Sequence, residues 1–595
     1  MDRRSFLRST MYFTVVGASA GLAGCGNGGD DGNDGSPRGS YMFPQGVASG
    51  DPKDTSAVFW TRCLSRGPST ADVPLRLEVS ASDRFETLAA SAQLAATGVY
   101  DHTVRAKVTG LSPGTHYFYR FVAGQDSSVI GELRTAPAPS STPAKARFAW
   151  MTCQDWSINH WGALELMLAE DLDFVVHVGD YIYESVGAAF QSGRAEPAHA
   201  AIALPDGLKQ GPAVVANTLA DYRTLYRTYR TDPRLQAVHA RYPMIAIWDD
   251  HEFSDDCWQD HQTYTNANPR ETARRRAANQ AWAEYMPVDF GDVSFDLQNA
   301  AYDNIRIYRD FRFGSLMHLV MTDQRLYRDD HVIPESGLAL LLGHDQAKGD
   351  DKVGSRYFVP QPLLKQFEEL DTVSLKRPPS ILGPTQTQWW KDTMKASTST
   401  WKVWGNEVTL NRMWADLRTV APPPYNNVYI VNADVWDGYP THKAELMTYL
   451  KTQGIRNVVA ITGDLHAFQC GVVRDNNDPA TGTPVAVDFV CAGVSSDSFY
   501  HYLRDGAQGT PLTALVATPQ AFDGLIRVNN PDFAYVDHDA QGFALAEVTA
   551  QAFTVTFHKV KPLNADGSKP AAPLLKKTRI TLAAGSTVPK VEDNV

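Results

Sequence analysis

Cysteine is scarce in this chain, with six in 595 residues. Cys25 and Cys153 belong to motifs taken up below. The other four, Cys63, Cys257, Cys470 and Cys491, allow at most two disulfides, and buried free thiols account for them equally well. Basic charge is also short: 55 lysines and arginines stand against 67 acidic residues, for a net charge of −12. No basic stripe reverses that balance, so a general affinity for nucleic acid is excluded. Long apolar runs are missing too. The nearest approach, Met11 to Ala23, is short, rich in glycine and alanine, and too weak to span a membrane stably. No internal repeat is evident. The length exceeds what one core accommodates and predicts two or more domains.

What is present starts with an address. Asp2-Arg3-Arg4-Ser5-Phe6-Leu7 ahead of the apolar stretch resembles a twin-arginine export signal. Leu22-Ala23-Gly24-Cys25 looks like a lipoprotein processing box. Residues 1–25 are therefore expected to be a removable signal, with Cys25 as a lipid-bearing mature N-terminus and the protein periplasmic or at the cell surface. An ordinary cleaved signal with an incidental Cys25 is the other reading. Residues 26–40, GNGGDDGNDGSPRGS, have the composition of a flexible tether. From 41 to 138 short alternating strands recur, around Ala57–Thr61, Leu75–Val79, His102–Val108 and Tyr117–Val122. They predict an antiparallel β-sandwich of the immunoglobulin or fibronectin-III kind. From 146 to 562 strands alternate with helical patterns, which predicts an α/β domain. Helices are expected at 160–171 and 270–286, with Arg274-Arg275-Arg276 on a solvated face. Stretches 185–232 and 329–380 carry no ligand cluster and are candidate lids. Phe543 to Val560 reads as a terminal hairpin, and 563–595 as a C-terminal tail.

Five apolar runs end in residues that bind metals. They are RFAWM before TCQD (152–155), FVVHV before GDYIY (179–183), MIAI before WDDHE (248–252), the run ending in WGNE (404–407), and VVAIT before GDLH (463–466). In open α/β sheets chemistry sits beyond the carboxyl ends of strands. The donors fall into two kinds. Cys153, Tyr183 and His466 suit a transition metal, and a tyrosinate in particular calls for a strongly acidic ion such as ferric iron. Asp250, Asn406 and Asp464 offer only oxygen, which suits Ca²⁺, Mg²⁺ or Mn²⁺. Asp180 can bridge the two. His251 follows Asp250 directly and is placed to protonate a leaving oxygen. Arg325, after a further apolar strand, is the candidate phosphate clamp, with a structural ion pair to Asp323 as the equal alternative. His177 and His318 read as packed core.

The five motifs, in this order, resemble the PhoD family of alkaline phosphatases, within the calcineurin-like metallophosphoesterases and near the purple acid phosphatases. The resemblance extends to GVASGDP (46–52) and VFWTR (58–62) in the sandwich. It implies a calcineurin-like β-sandwich flanked by helices. It also implies Fe³⁺ held by Cys153, Asp180, Tyr183 and His466, and Ca²⁺ held by Asp180, Asp250, Asn406 and Asp464. His251 would assist the leaving group, and a second calcium near Asp155 is a further expectation. The implied reaction is hydrolysis of phosphomonoesters, and of diesters, by attack of a metal-bound hydroxide, with the chain acting as a monomer. A phosphodiesterase or phospholipase-D-like enzyme is the alternative on the same site, and a lipid-anchored surface binding protein the non-enzyme alternative.

Overall fold

Six short runs of valine, isoleucine, methionine and aromatic residues become parallel strands, and their carboxyl ends position the site. The first three are β1 (Ala146–Met151), β2 (Phe174–Val178) and β3 (Met244–Ile247), paired side by side. The next three are β4 (Met317–Met321), β5 (Trp401–Gly405) and β6 (Val458–Thr462). The computed structural model that displays them describes residues 12–16, 39–187, 194–211, 213–265, 267–334, 356–509 and 511–595. Arg3, Arg4 and Cys25, on which the export and anchoring expectations rest, lie outside the described residues. Tyr12–Val16, within the apolar stretch of the expected signal, runs as a strand parallel to Thr103–Thr109.

β1–β3 belong to an eleven-stranded sheet, and β4–β6 to a seven-stranded one. The two sheets share one apolar core, in which Phe148, Val176 and Ile245 from the first join Leu319, Val403 and Val459 from the second. Trp150 Nε1 donates across it to the Thr462 carbonyl at 3.3 Å. Because side chains alternate along a strand, Val320, Trp404 and Ala460 point the other way. There the helices Gly383–Ala396 and Pro440–Thr452 cover them with Trp390, Met394, Leu446 and Leu450. Both faces are covered, which is why these strands read as unbroken apolar runs.

The N-terminal strands form where the alternation predicts them, at Ser56–Arg62, Val73–Ser80, Thr103–Thr109 and His116–Ala123. They enclose a core of their own around Phe59, Leu77, Val104 and Tyr119. This unit is joined to the α/β one. Val47–Gly50 pairs with β3 at Met244, so the large sheet runs through both units. Gly50 is required there, since a Cβ would stand 2.2 Å from the Pro287 carbonyl oxygen. Trp60 donates to the Glu284 carbonyl at 2.8 Å, with the Arg230 guanidinium 3.8 Å above its ring.

Several expectations change. The helix Thr272–Tyr285 forms as predicted, but Arg274 and Arg275 are buried, at 5% and 1% exposure, rather than solvated. The helix expected at 160–171 is shorter, Gly162–Leu168. Residues 563–595 are not a loose tail: Leu574–Ala583 and Lys590–Asp593 extend the large sheet beyond the hairpin Gly542–Val548 and Ala552–Val560. The two stretches without ligand clusters hold structure of their own, including helices Leu219–Tyr229 and Gln361–Leu375. All five described cysteines are buried and free. His177 and His318 are fully buried, as the sequence predicts. Among the described residues no helix is long and apolar enough to cross a membrane.

Candidate active site

Three of the donor-bearing strands, β1, β2 and β6, end in a backbone bend that aims a side chain over the sheet edge. Cys153, Asp180, Asp464 and His466 take φ values of 53°, 57°, 62° and 55°. Non-glycine residues seldom adopt this left-handed region, and such strain gathers at functional sites. Gly179 precedes Asp180 with φ of 112°, and a Cβ on it would lie 2.3 Å from the Asp249 Cβ. Only glycine lets the β2 and β3 ends approach this closely.

The bends bring the first donor set together. Donor atoms of Cys153, Asp180 and His466 lie within 4.8 Å of one another. The Tyr183 hydroxyl is 3.1 Å from Asp180 Oδ2, 3.2 Å from His466 Nε2 and 2.6 Å from Ser496 Oγ. His466 Nδ1 donates to the Asp497 carbonyl at 2.7 Å. A carbonyl only accepts, so Nε2 is left as the bare nitrogen facing Asp180 and Tyr183. Burial lowers this imidazole to a pKa of about 4, which keeps it neutral and fit to bind a metal.

A second set adjoins it. Asp249, Asp250 and Asp464 offer oxygens within 4.8 Å of one another, and Asp180, Asp250 and His251 form an overlapping group. Asp180 and Asp250 therefore stand between the two. Glu252 fixes the loops beneath by accepting from the backbone N–H of Asp180, Tyr181 and Asp249 at 3.1, 2.7 and 2.9 Å.

Electrostatics shows what the site needs. Burial, then neighbouring carboxylates, push Asp180 and Asp464 well above the usual carboxylate range. Burial raises Asp249 to about 7, against the pull of Arg325. Burial and then Asp180 likewise raise the Cys153 thiol and the Tyr183 phenol. Asp250 runs the other way. Burial alone would raise it, but His251 and Arg325 hold it low. So many acids crowded out of water ionise together only when cations join them, and Asp249 Oδ2 is buried with no hydrogen-bond partner. The donors present fit a soft-and-hard pair of cations.

Two expected residues are engaged by other protein groups. The Asn406 side chain is held by four hydrogen bonds. Its Oδ1 accepts from Gln324 Nε2 and, at 2.9 Å, from Trp436 Nε1, while its Nδ2 donates to the Val408 carbonyl at 2.5 Å and Thr462 Oγ1 at 3.1 Å. The amide is spent holding the ends of β5 and β6. Arg325 is at the cluster but fully buried and enclosed by acids: Nε meets Asp249 at 2.5 Å, and its terminal nitrogens meet Asp434 at 2.8 Å and Asp464 at 3.2 Å. Three of its five N–H bonds go to these acids, so it serves as a counter-charge that holds the carboxylates. Its ion pairs are not with Asp323, whose carboxylate accepts from the Arg325 backbone N–H at 3.0 Å. Asp155 accepts from the Ser157 N–H at 2.7 Å and belongs to none of the donor groups found among the described residues.

Other participants were not singled out in the sequence. Asp249 and Glu252 lie inside WDDHE (248–252) and Glu184 directly follows GDYIY (179–183), and that adjacency was the available signal. Asp434, Ser496 and Asp497 follow no such pattern; only the fold delivers them.

Comparisons with known proteins show the family. Residues 148–557 match the PhoD-like phosphatase family, and residues 31–137 match the PhoD-like phosphatase N-terminal domain. The chain is 28% identical over 508 residues to alkaline phosphatase D of Bacillus subtilis (strain 168), covering 83% of this chain and 76% of that one. A solved structure described as that of PhoD shares the fold, with a TM-score of 0.72 and 24% identity over 94% of both chains. The chain belongs to the PhoD-like phosphatase family and is an alkaline phosphatase of that family.

Proposed function

We propose that the protein is an exported, metal-dependent phosphohydrolase that releases inorganic phosphate from phosphomonoesters, and that also cleaves phosphodiesters, at a calcineurin-like centre. Ferric iron would be held by Cys153, Asp180, Tyr183 and His466, and calcium by Asp180, Asp250 and Asp464, with Asp249 at its edge. The convergence of a thiol, a phenol, an imidazole and a carboxylate on one point carries this reading. When bound, such cations supply Lewis-acid activation of water and stabilise the charge of the phosphoryl group.

The chain's own residues do the rest. The Asp497 carbonyl holds His466 with Nε2 bare. Arg325 ties Asp249, Asp434 and Asp464 into one rigid wall. His251, whose Nδ1 lies 2.7 Å from Glu184 Oε2, stands at the cluster where it would protonate a leaving oxygen.

Protein purified without chelator should contain iron and calcium, lose phosphate release on treatment with EDTA, and regain it when both metals return. Zinc alone, or full activity after chelation, rules the assignment out. Turnover of an aryl phosphomonoester against its bis-aryl diester ranks the two substrate classes. Export and anchoring are supported by residues 1–25 alone: Cys25→Ser should move the protein from the membrane fraction to the soluble one.

A further inference from the structure

Two tyrosines from distant parts of the chain meet beside the acid cluster. Tyr357 comes from the stretch 329–380, which carries no motif, and Tyr502 from the helix Phe499–Ala507. Their rings lie 5.3 Å apart at 61°, and the Tyr357 ring lies 6.3 Å from that of Phe499. Both tyrosines are half-buried. A pair of touching rings left partly bare beside a reaction centre is apolar surface that a substrate can cover.

The backbone fixes both rings relative to the donors. Tyr357 opens the strand Tyr357–Pro360 and pairs in register with Asn432. The Arg356 carbonyl before it accepts from the Ala433 N–H at 2.6 Å, and the Asn432 side chain accepts from the Asp434 N–H at 2.8 Å. Asp434 is the acid that Arg325 ties to Asp249 and Asp464. Arg356 also meets Asp256 Oδ2 at 2.5 Å, and Asp256 shares a donor group with Asp250 and Asp255. Phe358 takes a φ of 52°, which a bulky aromatic rarely adopts, and its side chain is buried in a core with Met413, Tyr429 and Leu465. Phe358 is thus sunk in that core while Tyr357 stays at its margin. Tyr502 is placed through His466: the Phe499 N–H donates to the His466 carbonyl at 3.2 Å, and Tyr502 follows within one helical turn. Electrostatics puts both phenols at the same spot. Burial first, and then nearby acids, hold them well above the usual tyrosine range; Asp256 acts on both, Asp464 on Tyr357 and Asp255 on Tyr502.

We propose that Tyr357 and Tyr502 form the subsite for the organic part of the substrate, and that they favour phosphoesters whose alcohol carries a planar ring. The proposal rests on the reading of the acid cluster as the place that holds the phosphoryl group. A planar group stacks on one ring and meets the edge of the other, which gains more than a saturated group of equal size can. Neither tyrosine takes part in bond breaking, so the contact is alike in the ground and transition states and acts on KM rather than kcat.

The test uses holoenzyme carrying Tyr357→Leu, Tyr502→Leu, Tyr357→Phe or Tyr502→Phe, with 1-naphthyl phosphate and glycerol phosphate as substrates. Iron and calcium contents and thermal midpoints identify folded, loaded variants. Each leucine variant should lower the ratio of kcat/KM for 1-naphthyl phosphate over that for glycerol phosphate about 3- to 10-fold, with the loss carried by a raised KM. The phenylalanine variants keep the ring and should keep most of the parent's ratio. A ratio that does not move, a loss carried by kcat, or phenylalanine variants as impaired as the leucine ones overturns the proposal. Should the leucine variants fail to fold, the parent decides alone. Phenylphosphonate should inhibit it at a concentration about 3- to 10-fold lower than cyclohexylphosphonate, which is similar in size but not planar, at a pH where both are dianions; equal inhibition overturns the proposal. If Asp464→Asn leaves turnover of both substrates intact, the reading of the acid cluster fails first and takes this proposal with it.

Discussion

The donor residues differ in how much of their role can be read from their neighbours. Cys153, Asp180, Tyr183 and His466 end buried strands or lie just past them, and the bend that aims them follows from glycine and a short turn. Tyr183→Phe should remove the visible absorption of a ferric tyrosinate while retaining bound iron; a variant as coloured as the parent contradicts the ligand assignment. Asp464→Asn should cut kcat at least about 10²-fold and weaken calcium binding, checked by phosphate release and by calcium titration of the stripped protein. Asn406 occupies the same kind of strand-end position as these residues, yet its amide turns to Gln324, Trp436, Val408 and Thr462. Position after an apolar strand is legible in sequence; which way a short polar side chain turns is decided largely by partners as far as 82 residues away and is not.

At the scale of elements, apolar period and turn residues placed the β2 and β3 strands, the sandwich strands and the terminal hairpin. Burial of arginine was the signal they could not give. Arg274 and Arg275 lie on a helix whose buried positions also include Ala278, Ala281 and Trp282, and a guanidinium is hidden there because backbone carbonyls and aromatic rings receive it. The close approach of the β2 and β3 ends gives a sharp test. Gly179→Ala would place a methyl 2.3 Å from the Asp249 Cβ in a backbone conformation an L-residue disfavours. It should cost on the order of 3 kcal/mol of stability and, by displacing Asp180 and Asp249, abolish most phosphate release. Denaturant unfolding and a phosphate assay report the two losses, and a variant of parental stability and rate contradicts the packing argument.

Across the whole molecule, the sequence predicted two units and left their joint unseen, because one strand pair at Gly50 and a set of carbonyl-bound arginines leave no composition signal. The last strands were likewise missed, since a solvated edge alternates weakly. A buried ion network around Asp232 should contribute to acid stability. Arg234 meets Glu196 at 2.7 Å and Asp232 at 2.5 Å, with His199 3.0 Å from Asp232. Against the burial that would raise them, Asp232 is held low first by His199 and then by Arg234, and Glu196 first by Arg234. Carboxylates depressed in the folded state stabilise it fully above the unfolded value of roughly 4 and lose that contribution as pH falls through the folded values. Asp232→Asn should therefore lower the melting temperature by roughly 2–4 °C at pH 7, with the gap narrowing below about pH 4; a gap constant with pH contradicts the linkage. The central claim is that residues scattered from Cys153 to His466 gather around two unlike cations. Anomalous X-ray diffraction from crystals of chelator-free protein, collected on both sides of the iron absorption edge, tests it directly. The account predicts one iron peak in bonding contact with Cys153, Asp180, Tyr183 and His466, and a lighter ion beside it on Asp180, Asp250 and Asp464. A single metal shared by both sets, or an iron peak away from Cys153 and Tyr183, would contradict it.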